Sequence, residues 1–396
     1  MNQILKSNIQ NRNFVYQNIK CQKDAKKNIF RQLKEYYKDK SNLHNYLKNN
    51  NCNQFLENFE LLNYISSGGS GVVYKGCFRK NPIDEVCLKF LLNKTEIENA
   101  LKPNNNKNNI SNVKNINIDS KIEEINIQKK LQHKNIVKYY DYFDLRDYGC
   151  IVMELAESGD IDMIRKKMTD KTYLSETFLA FITKQILDGL YFIHKNKIIH
   201  MDIKQQNILI DKNLDIKITD FSISLSYEKI KSHEKIKLPL AGTNPFMSPE
   251  ILSKADIDIE DASKIDMFSL GVMLYNLSIG DFPYDLKINH KKNFDEIFEK
   301  IKSNELEFPE DKIKTRRYSN VFIKFLKNLL DKNIKNRISV FDALDDPWIK
   351  GAQLIFEEKE KIGDNPKFLL KMICDNIRSF NDYLKMWSSE TFNTSN

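Results

Sequence analysis

The chain has 396 residues, of which 62 are Lys or Arg and 54 are Asp or Glu, so its formal net charge is +8. The basic residues are spread along the whole length and alternate with acidic ones, which argues against a dedicated nucleic-acid surface. No apolar run approaches the roughly 18 residues that a membrane-spanning helix needs, and we expect neither a membrane span nor a secretory signal peptide. Six cysteines are scattered without C-x-x-C pairs, which favours a reducing compartment and a cytoplasmic or nuclear location.

Residues 1–55 form a polar, basic and Asn-rich N-terminal extension. Ile29, Leu33, Tyr36 and Tyr37 recur at loosely helical spacing, so the segment is interpreted as one or two helices. Two interpretations stay open for it. Its helices dock on the rest of the protein, or it is a solvated and partly disordered extension.

From Phe59 the pattern changes to short strands separated by turns. The stretch F-E-L-L-N-Y-I is typical of a strand, and S-S-G-G-S-G-V-V-Y after it predicts a hairpin. Glycines in such a turn let backbone N–H groups approach phosphate oxygens, although a Gly-Ser hairpin is more often only a turn. The next predicted strand, V-C-L-K, ends at Lys89. A lone lysine on a strand usually faces solvent.

Residues 93–118 are a low-complexity insertion, which predicts a disordered loop. The apolar pattern over 120–132 then predicts a helix. The apolar run at 150–156 predicts a buried strand, which ends in the polar link E-S-G-D. A second helical pattern covers 178–194 and leads into the most informative part of the chain.

The stretch H-M-D-I-K-Q-Q-N, residues 200–207, places a carboxylate, a lysine and a carboxamide on one loop, and D-F-S begins thirteen residues after it ends. Phosphoryl transfer needs a base for the acceptor hydroxyl, oxygen ligands for Mg²⁺ and cations against the phosphates. Asp202, Asn207, Asp220 and Lys204 would be able to supply these groups.

These residues resemble the eukaryotic protein kinases, whose catalytic loop reads H-R-D-x-x-x-x-N and whose metal-binding loop reads D-F-G. Met201 replaces the arginine, Ser222 replaces the glycine, and Ser66 replaces the first glycine of the G-x-G-x-x-G hairpin. The stretches V-C-L-K, L-Q-H-K-N-I-V and G-T-N-P-F-M-S-P-E follow in the family's order. The resemblance therefore covers residues 59–350.

The resemblance implies an α+β, bilobal protein-kinase-like fold with a small β-rich N-lobe and a larger helical C-lobe. The N-lobe would span 59–154, the hinge 154–158 and the C-lobe 159–350, with a helical tail over 351–396. The implied cofactors are ATP and Mg²⁺. The implied partners are proteins with Ser or Thr acceptors, because Lys204 in D-I-K-x-x-N together with Thr243 marks the Ser/Thr branch.

The family's catalytic roles transfer to matching positions. Asp202 would orient the acceptor hydroxyl and accept its proton, and Lys204 would steady the γ-phosphate. Thr243 would hydrogen-bond to both. Asn207 and Asp220 would hold the Mg²⁺ ion.

The family's nucleotide contacts transfer in the same way. Lys89 would contact the α and β phosphates while paired with Glu124, which lies nine residues before His133. The alternative is that Glu124 is a solvated helix residue beside Glu123. The expected nucleotide-binding residues are Ile65, Ser66, Ser67, Gly68, Gly69, Ser70, Gly71, Val73, Cys87, Lys89, Met153, Glu154, Ala156, Asp160 and Leu209.

Two supporting contacts are also implied. Glu250 would pair with Arg337, and Asp266 would accept hydrogen bonds from backbone N–H groups of the catalytic loop. Gln206 and Asn276 stand where arginine-selecting kinases have acids, so we expect no strong demand for basic residues in the substrate.

Met201 affects how the activation segment would be held in order. The loop arginine of other kinases binds a phosphorylated residue of the activation segment, and Met201 cannot contribute that charge. The position four residues before Thr243 is Pro239, which has no hydroxyl. We therefore expect apolar packing of Leu238, Leu240 and Met201 to hold the segment.

Past residue 350 the chain mixes apolar and basic residues. This tail is a calmodulin-type target, an autoinhibitory segment or a helix packed on the large lobe, and a regulatory contact through the tail or the N-terminal extension stays open. The leading hypothesis is a Ser/Thr protein kinase that transfers the ATP γ-phosphoryl group. The alternative is a pseudokinase scaffold that binds nucleotide without efficient transfer, suggested by Ser66, Met201 and Ser222.

Overall fold

The computed structural model describes residues 38–50, 52–67, 71–92, 115–145, 148–167, 174–231, 234–286, 294–316 and 318–352. These residues form two compact units. One contains the described residues up to Lys121 together with Tyr139–Leu155, and the other contains Ile122–Lys138 and the described residues from Ala156 onward. The predicted helix near Ile29, the turn glycines at 68–70, most of the insertion and the C-terminal tail lie outside the described residues.

The first unit is built on a five-stranded antiparallel sheet with the strand order β1-β2-β3-β5-β4. Its strands are β1 Phe59–Ser67, β2 Gly71–Phe78, β3 Asn81–Leu92, β4 Tyr139–Leu145 and β5 Tyr148–Glu154. The predicted hairpin and the V-C-L-K strand are confirmed as β1–β2 and β3. A Cβ on Gly71 would lie 1.9 Å from the carbonyl oxygen of Phe90, so β2 and β3 approach this closely only with glycine at that position.

The two faces of this sheet differ because side chains alternate along each strand. One face is apolar and buried by helices α1 Lys40–Asn49 and α2 Asn53–Asn58. Its buried strand residues include Val72, Tyr74, Val86, Leu88, Phe90, Cys150 and Val152. The opposite face presents Val73, Cys87, Lys89 and Met153, which belong to the predicted nucleotide-binding set.

Helices α1 and α2 decide between the two interpretations of the extension for residues 40–55. Leu43 and Leu47 of α1 are completely buried, and Phe55 of α2 packs its ring against Phe59, Phe90 and Phe143. This part of the extension is therefore docked on the sheet and is not a solvated segment.

Helix α3 covers Asn115–Lys130. It begins five residues before the predicted start at Ser120, so residues 115–118 of the predicted insertion are helical. Composition did not show this boundary because a helix, once nucleated, extends at little cost per residue, even through Asn-rich sequence.

The second unit is mainly helical. The helices of this unit are α4 Ile161–Lys167, α5 Glu176–Lys195, α6 Pro249–Ser253, α7 Lys264–Ile279, α8 Phe294–Ser303, α9 Glu310–Arg316, α10 Asn320–Leu329 and α11 Val340–Leu344. Helix α5 confirms the helix predicted over 178–194, and it begins where the Ser175 side chain accepts a hydrogen bond from the backbone N–H of Phe178.

Three short antiparallel strand pairs accompany these helices. They are β6 Ile198–Ile199 with β9 Leu225–Ser226, β7 Ile208–Ile210 with β8 Ile216–Ile218, and β10 Lys235–Lys237 with β11 Asp256–Asp258. Helix α7 is buried along its whole length and forms the centre of the unit's core. In the described part of the chain, no helix has both the length and the apolar character needed to cross a bilayer.

Candidate active site

The catalytic loop runs from β6 to β7, and Asp266 at the start of α7 determines its shape. The Asp266 carboxylate accepts hydrogen bonds from the backbone N–H groups of His200 at 2.9 Å and Met201 at 2.8 Å. The role predicted for Asp266 is therefore confirmed. Its third partner is His194 Nε2 at 2.8 Å, which must be the donor because an ionised carboxylate only accepts.

The charge of Asp266 is maintained although the residue is fully buried. Burial alone would raise the pKa of Asp266, but the hydrogen bonds from the His194 side chain and the His200 backbone N–H help to outweigh burial and hold that pKa below its ordinary value. An ionised Asp266 therefore keeps the backbone of the catalytic loop in place.

Asp202 lies at the centre of a compact hydrogen-bonded group. Thr243 Oγ1 donates to Asp202 Oδ1 at 2.7 Å, and Lys204 Nζ donates to Asp202 Oδ2 at 2.5 Å and to Thr243 Oγ1 at 2.7 Å. Asn207 Nδ2 donates to Asp202 Oδ2 at 3.0 Å and to the Asp202 carbonyl at 2.8 Å. Four residues that the sequence assigned to one site thus meet around one carboxylate.

The residues predicted to hold the metal are brought together by the backbone. The N–H of Thr219 donates to the carbonyl of Asn207 at 3.0 Å, which brings the residue before Asp220 next to Asn207. The amide nitrogen of Asn207 is used by Asp202, so its carboxamide oxygen remains for another ligand. Oxygen donors of this kind suit Mg²⁺. Among the described residues no cluster of three or more His, Cys, Asp or Glu side chains has metal-binding geometry.

His200 has a structural role. Its Nδ1 accepts from the Asp202 N–H at 3.2 Å, and its Nε2 donates to the Thr219 carbonyl at 3.0 Å. Its ring lies 4.9 Å from the Phe221 ring, centroid to centroid. Both ring nitrogens are occupied, so His200 connects the catalytic loop to the loop of Asp220 and does not act as a base.

Four of the predicted nucleotide-binding residues lie on one face of the sheet of the first unit. Val73 pairs with Lys89 across β2–β3, and Cys87 pairs with Met153 across β3–β5. The Lys89 side chain is 6% exposed, so the solvent-facing alternative is wrong. Cys87 is partly exposed, and desolvation raises the pKa of its thiol to about 12, which keeps the thiol neutral.

The hairpin residues of this set lie at the end of the same sheet. Ser66 pairs with Val73 and Ser67 with Val72 in the β1–β2 ladder, and Ile65 is 47% exposed. The predicted phosphate-contacting residues Gly68, Gly69 and Ser70 lie outside the described residues. Glu154 ends β5.

In the second unit, Asp160 forms a β-bridge with Leu209, so these two predicted nucleotide-binding residues are neighbours. The contact is extended by the N–H of Ile210, which donates to the carbonyl of Gly159 at 2.9 Å. Asp160 Oδ1 also accepts from the N–H of Met163 at 2.9 Å and so caps helix α4. Burial raises the pKa of Asp160, and this hydrogen bond opposes the shift. Ala156 precedes this stretch as the first residue of the unit's second segment.

Glu123 and Glu124 have different environments on helix α3. Glu124 is 4% exposed, so the solvated alternative is wrong for that residue. Glu123 Oε1 instead accepts a long hydrogen bond, 3.5 Å, from the N–H of Ser226. The burial of Glu124 supports its choice as the glutamate of the nucleotide site.

The activation segment ends at a buried ion pair. Arg337 Nη1 binds Glu250 Oε1, Nη2 lies 3.2 Å from Glu250 Oε2, and Nε donates to the Asp331 carbonyl at 2.9 Å. The guanidinium also lies over the ring of Phe268 at 4.9 Å. The pair predicted between Glu250 and Arg337 is confirmed.

Met201 lies in an apolar cluster of side chains and not in a charged site, and we call this cluster the Met201 cluster. Leu240 is partly exposed and packs against it. The predicted packing of Leu238, Leu240 and Met201 is confirmed. Its buried members are Ile199, Met201, Tyr227, Ile236, Leu238, Ile251, Ile257, Ile259, Ala262 and Ile265.

Sequence reasoning missed two features of the site. His194 was included only in the pattern of the predicted helix, although a histidine inside an apolar helix six residues before a catalytic loop is a usable signal. The β10–β11 pair was not predicted because three-residue strands leave too short a pattern to detect.

Comparison with known proteins agrees with this geometry. A family model described as the protein kinase domain matches residues 59–349. The chain belongs to the protein kinase family. It is 29% identical over 225 residues to mitogen-activated protein kinase kinase 1 of Arabidopsis thaliana, covering 57% of this chain and 59% of that protein.

Two further relatives are similar over shorter shares of their own length. The probable cell cycle serine/threonine-protein kinase CDC5 homolog of Encephalitozoon cuniculi is 35% identical over 177 residues, 44% of this chain and 34% of the relative. The serine/threonine-protein kinase TIO of Arabidopsis thaliana is 27% identical over 306 residues, 77% of this chain and 20% of the relative. The chain therefore spans less than two thirds of the length of each of these relatives.

Proposed function

We propose that this protein is an active Ser/Thr protein kinase that transfers the γ-phosphoryl group of ATP to Ser and Thr hydroxyls of proteins, with Mg²⁺ as the metal. The observation that supports it most is the hydrogen-bonded group of Asp202, Lys204, Asn207 and Thr243. The relatives are named as protein kinases, which supports the same activity.

Asp202 is the residue that orients the acceptor hydroxyl and accepts its proton. Three side chains donate to its carboxylate, so the oxygens are held in one orientation before the acceptor arrives, and this preorganisation lowers the barrier. Lys204 places a positive charge beside that carboxylate, where it steadies the transferred phosphoryl group. Thr243 fixes the position of both residues.

The remaining residues hold the nucleotide and the metal. Lys89 and Glu124 are assigned to positioning the phosphates of ATP. Asn207 and Asp220 are assigned to providing oxygen ligands for the metal ion. Mg²⁺, when bound, supplies positive charge against the phosphate oxygens. The chain's own contribution is the fixed placement of these donors.

The pseudokinase alternative rests on Ser66, Met201 and Ser222. These residues occupy supporting positions, and the residues assigned to proton transfer and metal binding are all present. The Met201 cluster supplies packing where the family's arginine would supply charge. The active enzyme is therefore the better-supported function.

We also propose a reducing cellular location, cytoplasmic or nuclear. The cysteines that the structure describes, Cys52, Cys77, Cys87 and Cys150, are free thiols, which supports this location. A regulatory contact through the N-terminal extension or the C-terminal tail remains part of the proposal.

The proposed chemistry predicts a defined loss on removing its charged groups. Asp202→Asn and Lys89→Met should each lower kcat/KM by at least ~100-fold, about 2.7 kcal/mol of barrier, because both act at the transition state. Mg²⁺-dependent transfer of labelled γ-phosphate from ATP to a generic Ser/Thr substrate measures this.

The matched control is Glu299→Gln, an exposed charge-to-amide change on α8 that should leave the rate unchanged. All variants should keep the wild-type melting temperature within a few degrees. A wild-type protein that binds ATP but transfers no phosphate, or a rate that neither variant changes, would favour the scaffold function.

A further inference from the structure

The sheet of the first unit is rolled and not flat. Its two edge strands are β1 and β4, which would lie about 19 Å apart in a flat five-stranded sheet, because neighbouring strands are spaced by about 4.8 Å. The rings of Phe59 on β1 and Phe143 on β4 nevertheless lie 5.5 Å apart, centroid to centroid. The apolar face of the sheet therefore lines the inside of a curved shell.

Phe55 of α2 fills this shell. Its ring lies 5.3 Å from the ring of Phe59, 5.7 Å from that of Phe90 and 5.5 Å from that of Phe143. The contacts with Phe90 and Phe143 are edge-to-face, a geometry that aromatic pairs favour. One side chain that is 1% exposed thus contacts both edge strands and β3, so its size and position help to set how far the sheet rolls.

Strand β3 connects this core to the nucleotide-binding residues. Leu88 and Phe90 are completely buried and belong to the same core as Phe55. Lys89 lies between them, and its side chain extends from the opposite face because side chains alternate along a strand. A change in the packing of Phe90 against Phe55 therefore also changes where the strand presents Lys89.

The end of α2 is fastened to the turn between β2 and β3 by Arg79. Arg79 Nε donates to the carbonyl of Leu56 at 2.6 Å, and the Arg79 backbone N–H donates to the carbonyl of Asn58 at 2.9 Å. Both carbonyls lie in the last turn of α2 and have no partner within the helix, and a cation is favourable at this end of the helix dipole. A residue inside the family match thus holds a helix that lies before it.

We propose that Phe55 and Arg79 are positioning residues for the nucleotide, because they hold α2 inside the rolled sheet and thereby fix where β3 presents Lys89. The proposal rests on the proposed kinase function, in which Lys89 contacts the phosphates of ATP. It gives the N-terminal extension, which precedes the family match, a part in nucleotide affinity.

The test compares matched variants of the full-length protein. Phe55→Leu keeps an apolar side chain but removes the ring, and its control is Phe325→Leu, the same change at a completely buried position on α10 of the second unit. Arg79→Ala is compared with Lys80→Ala, its exposed neighbour in the same turn. Calorimetric titration with Mg²⁺ and a non-hydrolysable ATP analogue gives Kd, and steady-state rates give KM for ATP and for a Ser/Thr peptide.

Phe55→Leu should raise the Kd for the analogue and the KM for ATP by about threefold to tenfold, because Lys89 is no longer held against the phosphates. The KM for the peptide should stay within about twofold of the wild-type value, which a general loss of folded protein would not explain. Arg79→Ala should raise Kd by about twofold to threefold, and Lys80→Ala should leave it unchanged. Phe325→Leu should lower the melting temperature as Phe55→Leu does, but it should not change Kd.

The outcomes are separable. Unchanged nucleotide binding in Phe55→Leu, or equal weakening in Phe325→Leu, would overturn the positioning role, and unchanged binding in Arg79→Ala would overturn the part assigned to Arg79. A wild-type protein that binds the analogue but transfers no phosphate, with binding weakened only in Phe55→Leu and Arg79→Ala, would support the positioning role and refute the kinase function. A wild-type protein that does not bind the analogue would overturn both.

Discussion

Amides occupy the two positions at which arginine-selecting kinases have acids. Gln206 Nε2 donates to Asp162 Oδ2 at 2.9 Å, and that carboxylate also pairs with Lys166 at 2.8 Å. Asn276 is buried and accepts from Gln205 Nε2 at 3.0 Å. The nearby negative charge of Asp162 is therefore compensated within the protein, which leaves little attraction for a substrate arginine.

We predict that a peptide-library screen shows no dominant selection for arginine upstream of the acceptor. Gln206→Glu should raise the relative rate on peptides with an upstream arginine by about threefold to tenfold, because it adds an exposed charge at that position. Gln132→Glu, an exposed change on the loop after α3, is the control. Dominant arginine selection at two upstream positions by the wild-type enzyme would contradict the prediction.

The Glu250–Arg337 ion pair is a second feature at the scale of single residues, and it affects the stability of the fold. Arg337 is 1% exposed, and it also donates to the carbonyls of Asp331 and Lys264. Removing either charge leaves the other buried without its counter-ion. The desolvation cost of that remaining charge then opposes folding.

We therefore expect Arg337→Met and Glu250→Gln each to lower the free energy of unfolding by roughly 3 to 5 kcal/mol. Urea denaturation measures this. The double variant should lose less than the sum of the two single losses, because neither charge is then left alone. Strictly additive losses would show that the two residues act independently.

At the scale of elements, the activation segment is held by a strand pair and the Met201 cluster. In the β10–β11 ladder, Lys235 faces Asp258 and Lys237 faces Asp256, with Ile236 and Ile257 between them. Opposite charges and an apolar pair at facing positions both favour this register. Both isoleucines belong to the Met201 cluster, so the ladder and the cluster stabilise each other.

The segment also contacts the catalytic loop directly through Gly242. This residue has a φ of +125°, and a Cβ there would lie 3.1 Å from the carbonyl oxygen of Met201. Glycine therefore permits both the backbone conformation and the close approach. The contact lies next to Thr243 and so connects the order of the segment to the site of Asp202.

We predict that dephosphorylated enzyme keeps most of its activity, because apolar packing and strand pairing do the ordering that a phosphate does in other kinases. Phosphatase treatment followed by a rate measurement tests this. A loss of more than about tenfold, ~1.4 kcal/mol, would mean that a phosphate orders the segment after all.

Two variants serve as controls for the phosphatase experiment. Ile236→Ser removes a side chain buried in the cluster and should lower kcat/KM with or without phosphatase. Lys237→Ser changes the exposed neighbour on the same strand and should have a much smaller effect.

At the scale of the whole molecule, the first unit extends beyond the match to the family model. The model matches from residue 59, whereas helices α1 and α2 end before it. They cover the apolar face of the sheet opposite Lys89, and their aromatic and aliphatic residues share a core with β2, β3 and β5. Burial of apolar surface is the main force that stabilises a small unit of this kind.

We expect Leu47→Ala to lower the unfolding free energy by about 2 to 5 kcal/mol, the usual range for deleting a fully buried leucine side chain. Lys48→Ala, the exposed neighbour on α1, should change it by less than ~0.5 kcal/mol. Thermal or urea unfolding of the full-length protein distinguishes them. Equal effects would show that α1 is not part of the folding unit.

Much of the site was predictable from the sequence because its chemistry is encoded in short stretches. Asp202, Lys204 and Asn207 share one loop of eight residues, and the residue types that phosphoryl transfer needs are few. Strand β3 and helix α5 were predictable for a similar reason, since their apolar periods are long enough to detect.

Contacts between distant parts of the chain needed the tertiary structure. The docking of α1, the hydrogen bond of His194 to Asp266, the pairing of β10 with β11 and the different environments of Glu123 and Glu124 all depend on it. Local pattern does not encode such contacts, because periodicity shows that a face is apolar but not which partner buries it. Local sequence thus determined which chemical groups this protein has, and long-range packing decided which of them meet.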